Sequence, residues 1–395
     1  METIEIRPIQ TSFEREVCLD LWATVFPEDR AFFQERLDYD PAYAEETTWI
    51  AKVDETIAAA VQIFPYYTSL DGVLIKVGGI GSVATLPEYR GKSLTQLILR
   101  HQSDWMRRNG FDLSLLFTGI NSFYEKAGWD TLSQYSYTLG VERGLSVISS
   151  RLHSTAAYTI KPYDPVYLDQ IMAIYESFTK DYFGPALRTE AYWLGQLKWL
   201  KEGVGDFLVA LDNDRVIAYL RVKKGREAVL EVTECGYTAG YETACLSLIK
   251  EALYKAPEYK QFKASVPTSH ALYSLLLKDE AVPEEETYEM WKVVNLPALL
   301  SKLRGVFTHR LQETTVEDVT FPLLINSGNE DAILHLQNGF LDVEQPMDVL
   351  KYQKFYKRKP SELLSDLIKG SLTDDLTIKA LFPKKDYLFW CTDSF

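Results

Sequence analysis

The stretch of this chain whose residue types best suit chemistry is Val83-Ala84-Thr85-Leu86-Pro87-Glu88-Tyr89-Arg90-Gly91-Lys92-Ser93-Leu94-Thr95. A β-rich run stops, a short basic turn follows, and a helix begins. The first turn of a helix carries unpaired N–H groups and a partial positive charge. With the cations of Arg90 and Lys92 added, the turn forms a cradle for a pyrophosphate. Gly91 lets the backbone approach the phosphate closely. The same residues also fit an ordinary strand-to-helix turn whose Arg and Lys face water, and a short loop motif alone does not separate the two. A second segment favours the phosphate reading: Asn121-Ser122-Phe123-Tyr124-Glu125-Lys126-Ala127-Gly128-Trp129 follows directly on the next strand.

The elements that must hold these segments alternate. Ile4 to Ile6 reads as a strand, Phe13 to Phe26 as a helix, and Trp49–Val53 and Ile57–Pro65 as strands paired around Asp54-Glu55. Leu74 to Thr85 is β-rich and contains Gly78-Gly79. Leu94, Leu97, Ile98, His101 and Trp105 recur at steps of three and four, which predicts a helix with one core-facing stripe. Asn109-Gly110 closes it, with Gly as the left-handed cap. Asp112–Phe117 reads as a strand and Ser122–Ala127 as a short helix closed by Gly128. From about 148 to 290 the same grammar repeats, without another strand–basic turn–helix, as expected of a second copy that lacks a working phosphate loop. From Trp291 the pattern changes to helix starts and antiparallel strands, with Val319–Ile325 and Ile333–Leu336 around Asn326-Ser327-Gly328-Asn329. The chain closes on Tyr387-Leu388-Phe389-Trp390-Cys391-Thr392-Asp393-Ser394-Phe395, read as an aromatic strand where a frayed polar tail is usual.

The two motifs together resemble the GNAT family of N-acetyltransferases. That family has a Gln/Arg-x-x-Gly-x-Gly/Ala loop after its fourth strand and a Phe-Tyr-x-x-x-Gly-Phe/Trp element after its fifth. Arg90 matches the first loop position, and Phe123-Tyr124 with Gly128-Trp129 matches the second element. Ser93 and Thr95 depart from the family's small residues, which narrows the room for a pyrophosphate. The resemblance implies acetyl-CoA as cosubstrate and no metal. It implies that the backbone of Val83, Ala84 and Thr85 pairs with the pantetheine arm as an added strand would. It also implies that Arg90, Gly91, Lys92, Ser93, Leu94, Thr95 and Gln96 hold the pyrophosphate, that Ile120 and Asn121 flank the cofactor, and that Tyr124 is the general acid for the departing thiolate.

The whole-chain layout is similar to the Eis-like branch, the enhanced intracellular survival acetyltransferases, and Glu289-Met290-Trp291-Lys292-Val293 resembles that branch's approach to its third domain. The implied fold is α+β: a catalytic GNAT domain over 1–147, a second GNAT-like domain without a cofactor loop over 148–289, and a sterol-carrier-like α/β domain over 290–395. The resemblance further implies that the terminal carboxylate, here that of Phe395, is the general base. An ammonium must lose a proton before its nitrogen attacks a thioester. A carboxylate can take that proton, directly or through a water, if burial raises its pKa from about 3.5. Glu28, Glu35 and Asp38 are expected to be solvated, and Asp393 has a better claim as a second acidic group.

Composition bounds the function class. The 395 residues carry 42 basic and 56 acidic side chains, a net charge of −14, which disfavours a broad grip on nucleic acid and favours cationic partners. Cys18, Cys235, Cys245 and Cys391 are scattered, which predicts reduced thiols, a cytoplasmic setting and direct acetyl transfer without a Cys carrier. The five histidines share no metal-like spacing. The most apolar run, Ile57 to Phe64, is too short to span a bilayer. The expected acceptor is a cationic amine of aminoglycoside, lysine or polyamine type. The resemblance also admits a hexameric homo-oligomer. The competing readings are a lipid-binding protein that uses the C-terminal domain and a CoA sensor without turnover.

Overall fold

The computed structural model describes residues 2–26, 30–152, 158–203, 206–225, 227–313, 323–326, 330–337, 340–344, 354–357 and 360–395. These residues form two compact units. The first is Met1–Leu132 with Thr287–Lys385 and Phe395, and the second is Ser133–Glu286 with Asp386–Ser394.

The first unit opens with β1 (Ile4–Pro8), α1 (Ser12–Val25), α2 (Arg30–Asp38), β2 (Thr48–Val53), β3 (Thr56–Leu70) and β4 (Val73–Thr85). It continues through α3 (Leu94–Arg108), β5 (Leu113–Phe117), α4 (Asn121–Glu125) and β6 (Asp130–Thr131). Strands β1 to β4 form an antiparallel meander. Side chains on β3 alternate between two buried faces. Ala59, Val61 and Ile63 meet α3 through Leu94, Ile98 and Leu99, whereas Ala60 and Phe64 meet α1 and α2 through Cys18, Trp22 and Phe33. The buried face of α3 is Leu94, Thr95, Ile98, Leu99, Gln102 and Met106. It is rotated from the expected stripe, because His101 lies outside while the polar Gln102 turns in and donates to the Val61 carbonyl.

The second unit contains β7 (Gln134–Gly140), α5 (Val141–Arg151), β8 (Thr159–Pro162), α6 (Leu168–Thr179), α7 (Glu190–Trp199), β9 (Phe207–Asp212) and β10 (Arg215–Lys224). After these come β11 (Val229–Tyr237), α8 (Ala244–Lys255), β12 (Gln261–Ala264) and β13 (Val282–Glu286). The remaining elements return to the first unit: β14 (Glu289–Val293), α9 (Leu296–Gln312), β15 (Leu323–Asn326), β16 (Asp331–Gln337), β17 (Phe340–Glu344), β18 (Lys354–Lys357), α10 (Pro360–Lys369) and α11 (Leu376–Leu381).

The first sheet runs β1-β2-β3-β4-β5-β14-β6, and the second, read from its far edge, β8-β9-β10-β11-β12-β7-β13. The two orders correspond strand by strand, with one exchange. The strand after β5 is β14, from near residue 290, and the strand after β12 is β7, from near residue 135. This exchange interleaves the two units along the chain. Glu289–Val293 joins the first sheet and Gln134–Gly140 the second, because hydrogen-bonded sheet neighbours, not sequence order, decide which residues pack together. A third sheet, β17-β16-β15-β18, packs with α9 in the first unit. The antiparallel pair expected around residues 326–329 is present as β15 and β16, while 327–329 and Val319 lie outside the described residues. The aromatic C-terminal strand is not formed. Tyr387 makes one bridge to Phe183, and Cys391–Asp393 is a 3-10 turn. No helix among the described residues is long and apolar enough to cross a membrane.

Candidate functional site

The site grows from one irregularity in β4. Residues Val77 to Ile80 pair in parallel with Leu113 to Leu116 of β5, and beyond Ile80 the two strands are no longer paired. Gly81 to Thr85 keep β3 on one side and have no ladder on the other. Between Gly81 and Ala84 the β3 register slips, and Ser82 holds φ 48, a left-handed bulge conformation. The unpaired edge carries Val83, Ala84 and Thr85, as an extended pantetheine arm requires.

The edge leads into the basic turn. Gly91 has φ +83, and Ser93, at φ 58, is also left-handed and forms the N-cap of α3 without a capping hydrogen bond. A serine thus adopts the backbone shape that glycine would give, at a cost of about 1 kcal/mol. Thr95, the other departure, is 7% exposed, and its hydroxyl lies 2.7 Å from that of Thr85. Its side chain is therefore turned into the domain, toward Thr85. The first N–H groups of α3 stay uncapped for an anion. The two cations differ. Lys92 is paired with Glu2 at 2.6 Å, whereas Arg90 is exposed and makes no ion pair among the described residues. Leu94 is buried in the core, so only its backbone is available. Gln96 donates to the Phe123 carbonyl at 2.5 Å and so couples α3 to α4.

Tyr124 lies on α4 at 6% exposure, and burial pushes its phenol up to about 12. Its carbonyl accepts from Ala127 (2.9 Å) and Trp129 (3.2 Å), closing the turn that Gly128 passes at φ +89. Ile120 is exposed at the start of α4. The Asn121 amide is committed to Thr131 (2.6 Å) and the Thr287 carbonyl (2.7 Å), so its backbone is the part left for a cofactor.

Phe395 lies against the middle of β4. A methyl group on Gly79 would stand 2.4 Å from its ring, and one on Gly81 would stand 2.9 Å from its carboxyl carbon. Phe64, Tyr66 and Phe117 surround the ring at centroid distances of 5.7, 6.2 and 5.4 Å. The two glycines are the signal that sequence reading missed: a Gly-Gly-Ile-Gly run inside a strand marks a close approach by another group. Asp393, expected as a second acidic group, is buried, and both its oxygens accept from Arg188 at 2.9 Å, so it is committed to an ion pair. Asp38 pairs with Arg15, and Glu28 lies outside the described residues. The four cysteines form no disulfide, and no group of metal-ligating side chains occurs among the described residues.

Residues 5–132 match the family model of the acetyltransferase (GNAT) domain. No curated protein matches the chain by sequence. Among solved structures, a probable N-acyltransferase from Enterococcus faecalis V583 is 18% identical with a TM-score of 0.75 over 98% of this chain and 100% of its own. A GCN5-related N-acetyltransferase from Kribbella flavida is 14% identical (TM-score 0.73, 100% and 99% covered). Eis1 from Mycobacterium abscessus is 13% identical (TM-score 0.67, 100% of both chains). These likenesses show a shared fold over the full length. Taken with the open β4 edge and the basic turn that follows it, the match identifies residues 5–132 as an acetyltransferase domain of the GNAT type, and the chain as a whole shares its fold with Eis1.

Proposed function

We propose that the chain transfers the acetyl group of acetyl-CoA directly to a primary amine of a cationic acceptor of aminoglycoside, lysine or polyamine type. The observation that carries this reading is the β4 edge. It is free of β5 from Gly81 onward, ends in the left-handed turn at Gly91 and Ser93, and bears the Phe395 carboxyl group at Gly81.

In this reading the backbone of Val83–Thr85 lines up the pantetheine arm, and the start of α3 with Arg90 holds the pyrophosphate. The carboxylate of Phe395, directly or through a water, takes a proton from the acceptor's ammonium. The freed amine attacks the thioester carbonyl, the C–S bond breaks, the thiolate takes its proton from Tyr124, and the surplus proton on the new amide nitrogen leaves to solvent, from which the phenolate is reprotonated. The buried phenol is protonated at neutral pH and so has the proton to give when the thiolate forms. The net charge of −14 favours approach of a cation. The second unit, whose strand order matches the first but which has no basic turn after β11, is read as a copy without cofactor, and β15–β18 with α9 as the sterol-carrier-like part. The absence of a disulfide among these thiols supports a reducing, cytoplasmic setting.

The test is thiol release from acetyl-CoA with a panel of an aminoglycoside, a polyamine and a lysine peptide. Turnover with at least one amine is expected, and Tyr124→Phe should lower kcat by about 100-fold or more. Absence of thiol release with every amine, despite measurable acetyl-CoA binding, overturns the reading in favour of a CoA sensor.

A further inference from the structure

Tyr124 has to be held against a cofactor that binds along β4 and α3, yet it sits on a five-residue helix, Asn121–Glu125, followed by a tight turn. What fixes that turn comes from far along the sequence. Lys292 lies on β14, whose neighbours Met290 and Trp291 pair with Thr131 and Asp130 just beyond the turn. Its ammonium donates to the Ala127 carbonyl at 2.7 Å and to the Ser103 hydroxyl on α3 at 2.8 Å. It lies 4.5 Å from the centroid of the Trp129 ring. Ser103 in turn donates to the Leu99 carbonyl at 2.7 Å. One cation thus joins three things: the turn after Tyr124, the indole of the Phe-Tyr-x-x-x-Gly-Trp element, and the helix whose first turn forms the phosphate site. The lysine's terminal atoms lie in ordinary van der Waals range of Gly128, where an added methyl group would stand 3.5 Å from them.

We propose that Lys292 is a positioning residue for Tyr124, a staple that holds the Tyr124 turn in register with α3. The inference rests on the reading of Tyr124 as the general acid. Burial is consistent with a tight site. It pulls the lysine down to about 8, with Arg107 adding to the fall and Asp104 and Glu330 opposing it. The ammonium keeps its place through hydrogen bonds and the indole face rather than through an ion pair. Loss of the staple leaves the phosphate turn and the β4 edge untouched and lets the phenol drift, and misplacing a reacting group by about 1 Å can cost up to 100-fold in rate.

The experiment is a double-mutant cycle on the full chain, measuring kcat and KM for acetyl-CoA with whichever amine of the panel turns over fastest. Lys292→Met is expected to lower kcat about tenfold while KM for acetyl-CoA changes less than about twofold, and Lys292→Arg to restore kcat to within about threefold. On a Tyr124→Phe background, Lys292→Met should change kcat by less than about twofold, because the group it positions is already gone. Should Lys292→Met not fold, Ser103→Ala removes one of the two anchors and should lower kcat about threefold with KM again unchanged. Unchanged kcat in folded Lys292→Met, or in Ser103→Ala where it replaces that variant, overturns the proposal. An equal loss of kcat on both backgrounds, or a loss shared between kcat and KM, overturns it as well. If Tyr124→Phe alone keeps full kcat, the acid assignment falls. If Tyr124→Phe is impaired and Lys292→Met is not, only the Lys292 assignment falls.

Discussion

The two seven-stranded sheets treat the same opening in opposite ways. In the first, β4 parts from β5 after Ile80 and its free edge is left to end in a basic turn. In the second, β11 parts from β12 after Val232, and the freed residues Thr233 to Tyr237 are taken up by the unit's own groups. The Cys391–Asp393 turn packs on β11, Thr392 donates to Glu234, and Glu234 accepts from Arg188 through both oxygens at 2.9 Å and from Tyr219 at 2.6 Å. Arg188 is fully buried and also lies 4.1 Å from the centroid of the Tyr175 ring and 4.4 Å from that of Trp193. Next along β11, the Cys235 carbonyl accepts from His270 at 3.0 Å, whose ring faces Trp390 at 6.0 Å. An unpaired backbone edge must find partners somewhere. One sheet supplies them internally, and in the proposed reading the other keeps them for a ligand.

This contrast can be attacked in order of expected effect. Arg188→Met leaves Asp393 buried without its cation and Glu234 with only the longer 3.6 Å pair to Arg221, which should remove about 3–5 kcal/mol of stability in urea unfolding. An unchanged midpoint would mean that the second opening is not held by this cluster. His270 gives a pH signature. Its Nδ1 accepts from Leu272 N–H, so its proton sits on Nε2, and burial lowers its pKa to about 4. The unfolded chain therefore binds the proton first. The group's contribution is complete above pH 6.5 and is lost as pH falls from there to about 4, a total of about 3 kcal/mol. His270→Gln should flatten that slope in thermal melts taken across this range. The smallest effect belongs to the open side. Arg90→Glu should weaken acetyl-CoA binding about tenfold by calorimetry with the melting midpoint unchanged, because Arg90 is exposed and in the proposed reading supports a ligand, not the fold. A loss of stability there would erase the distinction between the two openings.

Much of the first opening was legible. The strand–turn–helix at Val83–Thr95 and the Phe123-Tyr124…Gly128-Trp129 element are local patterns, and local patterns report local chemistry. The departures at Ser93 and Thr95 pointed to a tighter turn, but residue type does not reveal that Ser93 takes a glycine-like φ or that Thr95 faces Thr85. Lys292 was read within Glu289–Val293 as the approach to another domain, since nothing in that pentapeptide tells which sheet it will join. The aromatic C-terminus suggested a strand by composition. Its residues instead satisfy side-chain pockets, with Trp390 against His270 and Phe178, and its ion pair to Arg188 could not be seen without the fold.

The exchange of β7 and β14 sets a timetable for synthesis. When β5 leaves the ribosome its outer edge has no neighbour, because the strand that covers it is encoded at Glu289–Val293, after all of β7 to β13. For that interval the nascent acetyltransferase sheet exposes unpaired N–H and C=O groups, the condition under which strands seek wrong partners. Closing so distant a contact is also slow. A gene cut at residue 147 would make the interval permanent, yielding a fragment whose central sheet never receives its sixth strand.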